Sequence, residues 1–265
     1  MFGEIINVTP GPSNIFLDLL KLASFMREMI MALTEDLKEY ANTLGIDFIG
    51  FCPTNSFNEA PKDGKPDQYL GKAVSIISIG YKMNYSAIRN LPQSRSAYML
   101  EYDYGNRQLD QASHKIARFL EERGFDTMGF DASAGFQQKS GRSIDRLAAD
   151  FSHKHAAVAC GLGKFGLNNL VLSPKWGPRL RLSSVLTCAH LKSEPPHTEN
   201  PCLSNACKKC VEICPVHALD GWEGQHDPDR GWAIDKKKCY EYIFATLEGQ
   251  RCGLCIKSCP VGLDG

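Results

Sequence analysis

The chain has 265 residues, 43% hydrophobic and 23% charged, and its thirty basic and thirty acidic side chains cancel to a formal charge of +0. That length suits one domain of ordinary size plus a small one, and the composition is that of a soluble globular protein with a sizeable core. The balance of charge gives no global pull towards nucleic acid or an anionic membrane. Eight of the eleven cysteines fall after position 200, a clustering that points to metal ligation in a reducing compartment and away from a disulfide scaffold.

In chain order, residues 15–33 (IFLDLLKLASFMREMIMAL) are apolar-rich but carry Asp18, Lys21, Arg27 and Glu28. A membrane span needs about 20 residues nearly free of charge, and neither a basic n-region nor a small-residue cleavage site marks a secretory signal. Residues 1–33 read as an N-terminal extension. A helix is expected over 34–44, with Thr34 as cap, Glu35 and Asp36 at its positive end, Leu37, Tyr40, Ala41 and Leu44 on one face, and Gly45 as terminator. Residues 47–52 and 73–79 have the short, β-branched character of buried strands, separated by a loop over 54–70. A second amphipathic helix is predicted over 107–123, then strands near 126–130 and 181–187. Between those strands, a helix over 144–160 leads into a glycine-rich turn at 161–166. This alternation predicts an α+β domain over 34–190. Residues 191–200 (LKSEPPHTEN) read as a linker to a second domain over 200–265.

The second domain carries the strongest signal. The run Cys202-LSNA-Cys207-KK-Cys210-VEI-Cys214-Pro215 is followed by Cys239 and, twelve residues on, by Cys252-GL-Cys255-IKS-Cys259-Pro260. The repeated C-x-x-C-x-x-x-C-P core is the pattern of two-cluster bacterial ferredoxins, in which the cysteine before proline ligates the other cluster. That rule assigns one 4Fe–4S cluster to Cys202, Cys207, Cys210 and Cys259, and a second to Cys239, Cys252, Cys255 and Cys214. A zinc ribbon also uses paired C-x-x-C motifs, but it leaves four cysteines and both C-P endings without a role. Cys202 and Cys239 lie further from their runs than compact spacing requires. Cys52, Cys160 and Cys188 sit in apolar runs, as small buried residues do.

The glycine-rich segment Gly161-Leu-Gly163-Lys-Phe-Gly166-Leu-Asn-Asn169 follows a predicted helix, so it does not meet the context of a dinucleotide fingerprint. A tight connection between helix and strand accounts for it equally well on spacing alone. The longer run CGLGKFGLNNLVLSPKWGPRLRLSSVLT, followed by the two cysteine motifs, resembles the cobalamin-dependent family of epoxyqueuosine reductases and reductive dehalogenases. LGIDFIGF, AVSIISIGYKMNYS and the stretch Tyr98-MLEY-Asp103-Tyr104 agree with it, so that the likeness spans roughly 34–260.

The resemblance implies a nitroreductase-like corrinoid-binding domain followed by a two-cluster ferredoxin-like domain. Cobalamin is held base-off, the nearer cluster reduces the cobalt, and an organic substrate is reduced at the cobalt face with help from a protein proton donor. Gly161, Gly163, Gly166 and Asn168 are then the expected cofactor-binding residues. Where epoxyqueuosine reductases carry an acidic donor in V-D-S/T-x-P, this chain reads Asp150-Phe-Ser-His153-Lys-His155. Asp150, His153 and His155 become candidate donors, and Tyr104 is a further one by likeness to the tyrosine acid of reductive dehalogenases, with Asp103 to orient it. A histidine near neutrality suits general acid work.

The expected reaction is reduction of a small organic substrate by electrons from a low-potential donor such as ferredoxin or flavodoxin. The alternatives are a corrinoid reductase or electron-transfer protein without its own organic substrate, and flavin in place of corrinoid. Because the chain ends six residues after Cys259 and carries no twin-arginine leader, no nucleic-acid partner and a cytoplasmic location are expected.

Overall fold

The computed structural model describes residues 12–57, 59–60, 65–133, 147 and 149–263. Four strands form one sheet in the order β1-β2-β6-β3, every pair antiparallel. They are β1 (Phe48–Pro53), β2 (Ser75–Lys82), β3 (Thr127–Gly129) and β6 (Leu180–Thr187). Successive side chains of a strand point to opposite faces, and here both faces are buried. Phe51, Ile77, Ile79 and Val185 pack on one side against Leu37 and Leu44 and against Leu109, Ile116 and Leu120. These belong to the segment led by α1 (Pro12–Asn42) and to α3 (Arg95–Glu121). On the other face Cys52, Ile76 and Leu186 pack against Phe151, Ala156 and Cys160, around the short helix α4 (His153–Ala159). A two-stranded ribbon, β4 (Lys164–Phe165) with β5 (Val171–Leu172), spans the glycine-rich turn. The short helix α2 (Tyr85–Arg89) completes this α+β unit.

Several sequence expectations change in place or length. The first helix does not start at Thr34: α1 runs through that position, and Thr34 is buried inside it. Its hydroxyl donates to the Ile30 carbonyl at 2.6 Å and accepts the Lys192 amide at 2.9 Å, so this threonine straps the linker to the helix instead of capping it. The boundary expected at 33/34 thus falls within a continuous helix. The second helix begins at Arg95, twelve residues before the predicted start, because 95–106 carries polar residues on a face turned towards other protein. Of the helix predicted over 144–160, 153–159 is helical among the described residues, and 144–146 and 148 lie outside them. The linker over 191–200 has no helix or strand, as expected, yet it is held down by the Glu194 amide on the Phe51 carbonyl and by Lys38 on Glu194 at 2.8 Å. Among the described residues no helix is long and apolar enough to cross a membrane.

The C-terminal segment contributes three short helices, α5 (Lys209–Glu212), α6 (Lys236–Glu241) and α7 (Leu254–Lys257). Its seat is the glycine-rich turn. The Phe165 amide donates to the Pro228 carbonyl at 2.7 Å, and His226 Nε2 donates to the Phe165 carbonyl at 2.8 Å. Each turn glycine is pressed against protein: a Cβ on Gly163 would stand 2.0 Å from the Leu172 carbonyl oxygen, and one on Gly161, at φ +81, would stand 2.6 Å from that of Pro195. Backbone cannot give way as a flexible side chain can. Gly163→Ala is therefore expected to destabilise the fold by about 3 kcal/mol or more, whereas Gly71→Ala, whose Cβ would meet nothing nearer than 3.9 Å, stays within about 0.5 kcal/mol. Denaturant unfolding of the two variants checks the contrast.

Candidate functional site

Local structure explains how each cysteine is presented. The Asn200 side chain accepts the Cys202 amide at 3.0 Å, and a single 3-10 turn, Ser204–Ala206 (3 residues), lies between Cys202 and Cys207. Asp235 caps α6 by accepting the Lys238 amide at 3.0 Å, which sets Cys239 one residue further into the helix. The return to Cys252 runs through a π-helical turn, Tyr242–Thr246, and a reversal at Glu248 and Gly249, both at positive φ. The long spacings of Cys202 and Cys239 are thus filled by compact turns.

The eight sulfurs fall into two groups. Burial pushes the Cys210 thiol up to about 12, helped by Cys202, Cys259 and Cys207 beside it. Cys259, raised chiefly by burial, also faces Cys202 and Cys207. All four line one small cavity together with Leu167 and Asn168. In the other group, Cys255 is raised by burial and then by Cys252, Cys239, Cys210 and Cys214. Cys239 is raised by burial and by Cys252 and Cys214. Cys255 and Cys210 meet across the division, and Cys214 packs in the same cluster as Cys210. The larger domain grips the backbone at the same points: Arg95 donates to the Cys252 carbonyl at 2.9 Å, Arg179 to that of Cys259 at 3.1 Å, and Asn168 to that of Cys255 at 3.4 Å. No two of the cysteines are joined in a disulfide.

Beside this sulfur core lies a cleft of about 720 Å³, within the usual range for ligand sites. Phe151, His153, Lys154, His155, Phe165 and Asn169 form its wall on the larger domain. Trp232, Ile234 and Lys236 form the wall on the C-terminal segment. Trp232 joins cleft and core: it packs with Cys210 and Leu167, with Cys214 and Cys255 at the margin, while its indole N–H donates to the Leu167 carbonyl at 3.0 Å.

The expected donors scatter. His153 lines the cleft, but both ring nitrogens are used: Nε2 donates to the Asp131 carbonyl at 2.8 Å and Nδ1 accepts from Ser184 at 2.9 Å. Burial lowers it to about 4, against the carbonyl's opposing effect. His155 is held the same way by Arg230 and Ser152, and burial lowers it to about 4 as well. Both are neutral at pH 7 with a fixed tautomer, the geometry of a strut. The Asp150 side chain is exposed, and it is the main-chain carbonyl that the Tyr69 hydroxyl reaches, at 2.6 Å. Tyr104 is 49% exposed on α3, against Tyr81, and it does not line the cleft. The glycines expected to admit a cofactor are instead filled by Pro195 and Leu172, and Asn168 turns towards Cys255.

Sequence reading passed over Tyr102, two residues before Tyr104. Its hydroxyl lies 3.2 Å from Ser133 and accepts from Arg181 at 3.2 Å, and the Arg181 and Arg251 guanidiniums stand 4.1 and 5.2 Å from its ring centre. Burial alone would raise this phenol, but the two arginines outweigh it and bring it down to about 8. Arg181 also lies close enough to His153 to act on its charge, which ties Tyr102 to the cleft wall. Helical spacing was the available signal: Tyr98 and Tyr102 are four apart and face inward, whereas Tyr104 lies on the opposite side.

A sequence model described as a 4Fe-4S dicluster domain matches residues 202–263. A tetrachloroethene reductive dehalogenase of Desulfitobacterium hafniense is 27% identical over 219 residues, 77% of this chain and 36% of that protein. An epoxyqueuosine reductase of Staphylococcus aureus is 27% identical over 238 residues, 81% of this chain and 57% of that protein. The chain thus spans between about a third and three fifths of the relatives it matches, and the resemblance named from its motifs stands. A solved epoxyqueuosine reductase with a tRNA-Tyr epoxyqueuosine-modified stem loop matches with a TM-score of 0.55 at 18% identity, over 87% of this chain and 65% of that one. The fold is therefore of that kind.

Tyr102 gives a pH test. With the folded phenol at about 8 and an unfolded one near 10, the unfolded state binds the extra proton between those values, so stability rises with pH across that window. Tyr102→Phe should abolish both the rise and the phenolate absorbance step near pH 8, as read by denaturation and ultraviolet titration.

Proposed function

We propose that the chain is an iron–sulfur reductase, with one 4Fe–4S cluster on Cys202, Cys207, Cys210 and Cys259 and the other on Cys239, Cys252, Cys255 and Cys214, and with a corrinoid in the cleft beside them. The observation that carries the reading is the partition of the sulfurs, in which Cys214 and Cys259 each sit among the cysteines of the other run. The donor set fits the clusters. Clustered, at least partly buried thiols whose charges would repel one another need a bound cation to be held as thiolates. Phe151, Phe165, Trp232 and Ile234 give the cleft an apolar face for the ring of a large cofactor, and Trp232 is the cleft's common boundary with the sulfur core.

When bound, the clusters supply single electrons and the corrinoid supplies the reductive chemistry on a small organic substrate. The chain's own residues do the rest. Tyr102 does not line the cleft; it accepts from Arg181 and lies beneath Arg251, and so fixes positive charge behind the cleft wall. His153, locked by Ser184 and the Asp131 carbonyl, holds the adjoining wall in place. Trp232 excludes water from the boundary between cleft and clusters. The electrons come from a low-potential carrier such as a ferredoxin or flavodoxin.

Anaerobic reconstitution tests both halves. Cobalamin should bind at about one per chain with a base-off spectrum; full iron without corrinoid uptake would instead mark an electron carrier. Cys202→Ser and Cys259→Ser should remove the same cluster, each leaving about half the iron, while Cys214→Ser removes the other. Electron paramagnetic resonance of each reduced variant identifies the survivor, and loss of different clusters from the first two would refute the reciprocal assignment.

A further inference from the structure

The cleft holds a charge arrangement that neither cluster ligation nor proton donation uses. Lys154, the second residue of α4, buries its side chain along the cleft wall and passes its ammonium 5.7 Å from the Phe165 ring centre. One of its three donors reaches the Asn169 carbonyl at 2.8 Å, and no carboxylate pairs with it among the described residues. An ammonium drawn out of water without a counter-charge is disfavoured. Burial accordingly lowers Lys154 to about 8, and Lys236, from the opposite wall, lowers it further. Lys236 is exposed and makes no ion pair among the described residues. The carboxylate on the same wall, Glu59, is consumed by Arg230, which reaches it through both Nε and Nη2, and nearby Asp229 is paired with Lys164. Two modules therefore each bring a lysine to one cleft and leave both without a counter-charge, although like charges at close range repel. A packing role alone would not select that arrangement.

We propose that Lys154 and Lys236 form a subsite for a phosphate diester, namely that of the nucleotide tail of a corrinoid whose ring lies along Phe165 and Trp232. The assignment rests on the corrinoid reading above and adds to it a place and orientation for the tail. A phosphate diester carries one charge and two free oxygens, which match two ammonium groups arriving from opposite walls.

Equilibrium binding of two probes to the iron-loaded protein tests this: cobalamin, which has the tail, and cobinamide, which lacks it. The unsubstituted protein should bind cobalamin at least about tenfold more tightly. Lys236→Gln and Lys154→Gln should each weaken cobalamin by about tenfold, yet change cobinamide by less than about twofold. Lys236→Gln, at an exposed position, serves as the variant that keeps its fold, checked by iron content and circular dichroism. Equal affinity for the two probes, or a parallel loss of both in Lys236→Gln, would overturn the subsite and leave the corrinoid reading standing. Failure of the unsubstituted protein to bind either probe would overturn both.

Discussion

Two cysteines cross over. Cys214 leaves its own run to sit among Cys239, Cys252 and Cys255, and Cys259 leaves its run to sit among Cys202, Cys207 and Cys210. This exchange knots the C-terminal segment into one body, for neither group is complete without the far end of the other run. The segment has little else to build on. Its core is Leu219, Trp222 and Trp232 packed on the cysteines themselves, with Leu167 supplied by the larger domain. A unit of about sixty residues with so small a core needs staples. Clusters held by the two sulfur sets, as proposed, would be that staple, and Arg95, Arg179 and Asn168 fasten the segment from outside by bonding cysteine carbonyls.

The same fastening creates the cleft. The glycine-rich turn supports the C-terminal segment through Phe165 and His226, so the wall bearing Lys154 and Phe165 comes to face the wall bearing Trp232 and Lys236. The turn's glycines serve packing within the protein, and the residues offered to a ligand are their neighbours. Tyr102 stands outside this wall among positive charges, and burial keeps His153 neutral near pH 7.

The two cysteine runs were legible as a 4Fe-4S dicluster pattern because ligand spacing is a local property that survives without knowledge of the fold. The sheet was legible too, since Ile76–Ile79 is apolar, β-branched and buried on both faces and 183–187 is buried on both faces. What was not legible depends on three-dimensional neighbours. The start of α3 was hidden because its first turns are polar yet lie against Arg181 and Arg251, and this moved the inward tyrosine from position 102 to 104. Thr34 reads as a cap until its partner, the Lys192 amide, is seen 158 residues away. The reason for Gly163 is the carbonyl of Leu172, which no spacing rule contains.

The claim on which everything else depends is that the eight sulfurs hold two cubanes. Iron and acid-labile sulfide analysis of anaerobically purified protein, read with electron paramagnetic resonance of its dithionite-reduced form, addresses it directly. The account predicts about eight irons and eight sulfides per chain, with the broadened signal of two magnetically coupled reduced clusters. Stoichiometric zinc without sulfide, or about four irons with the signal of one isolated cluster, would contradict it.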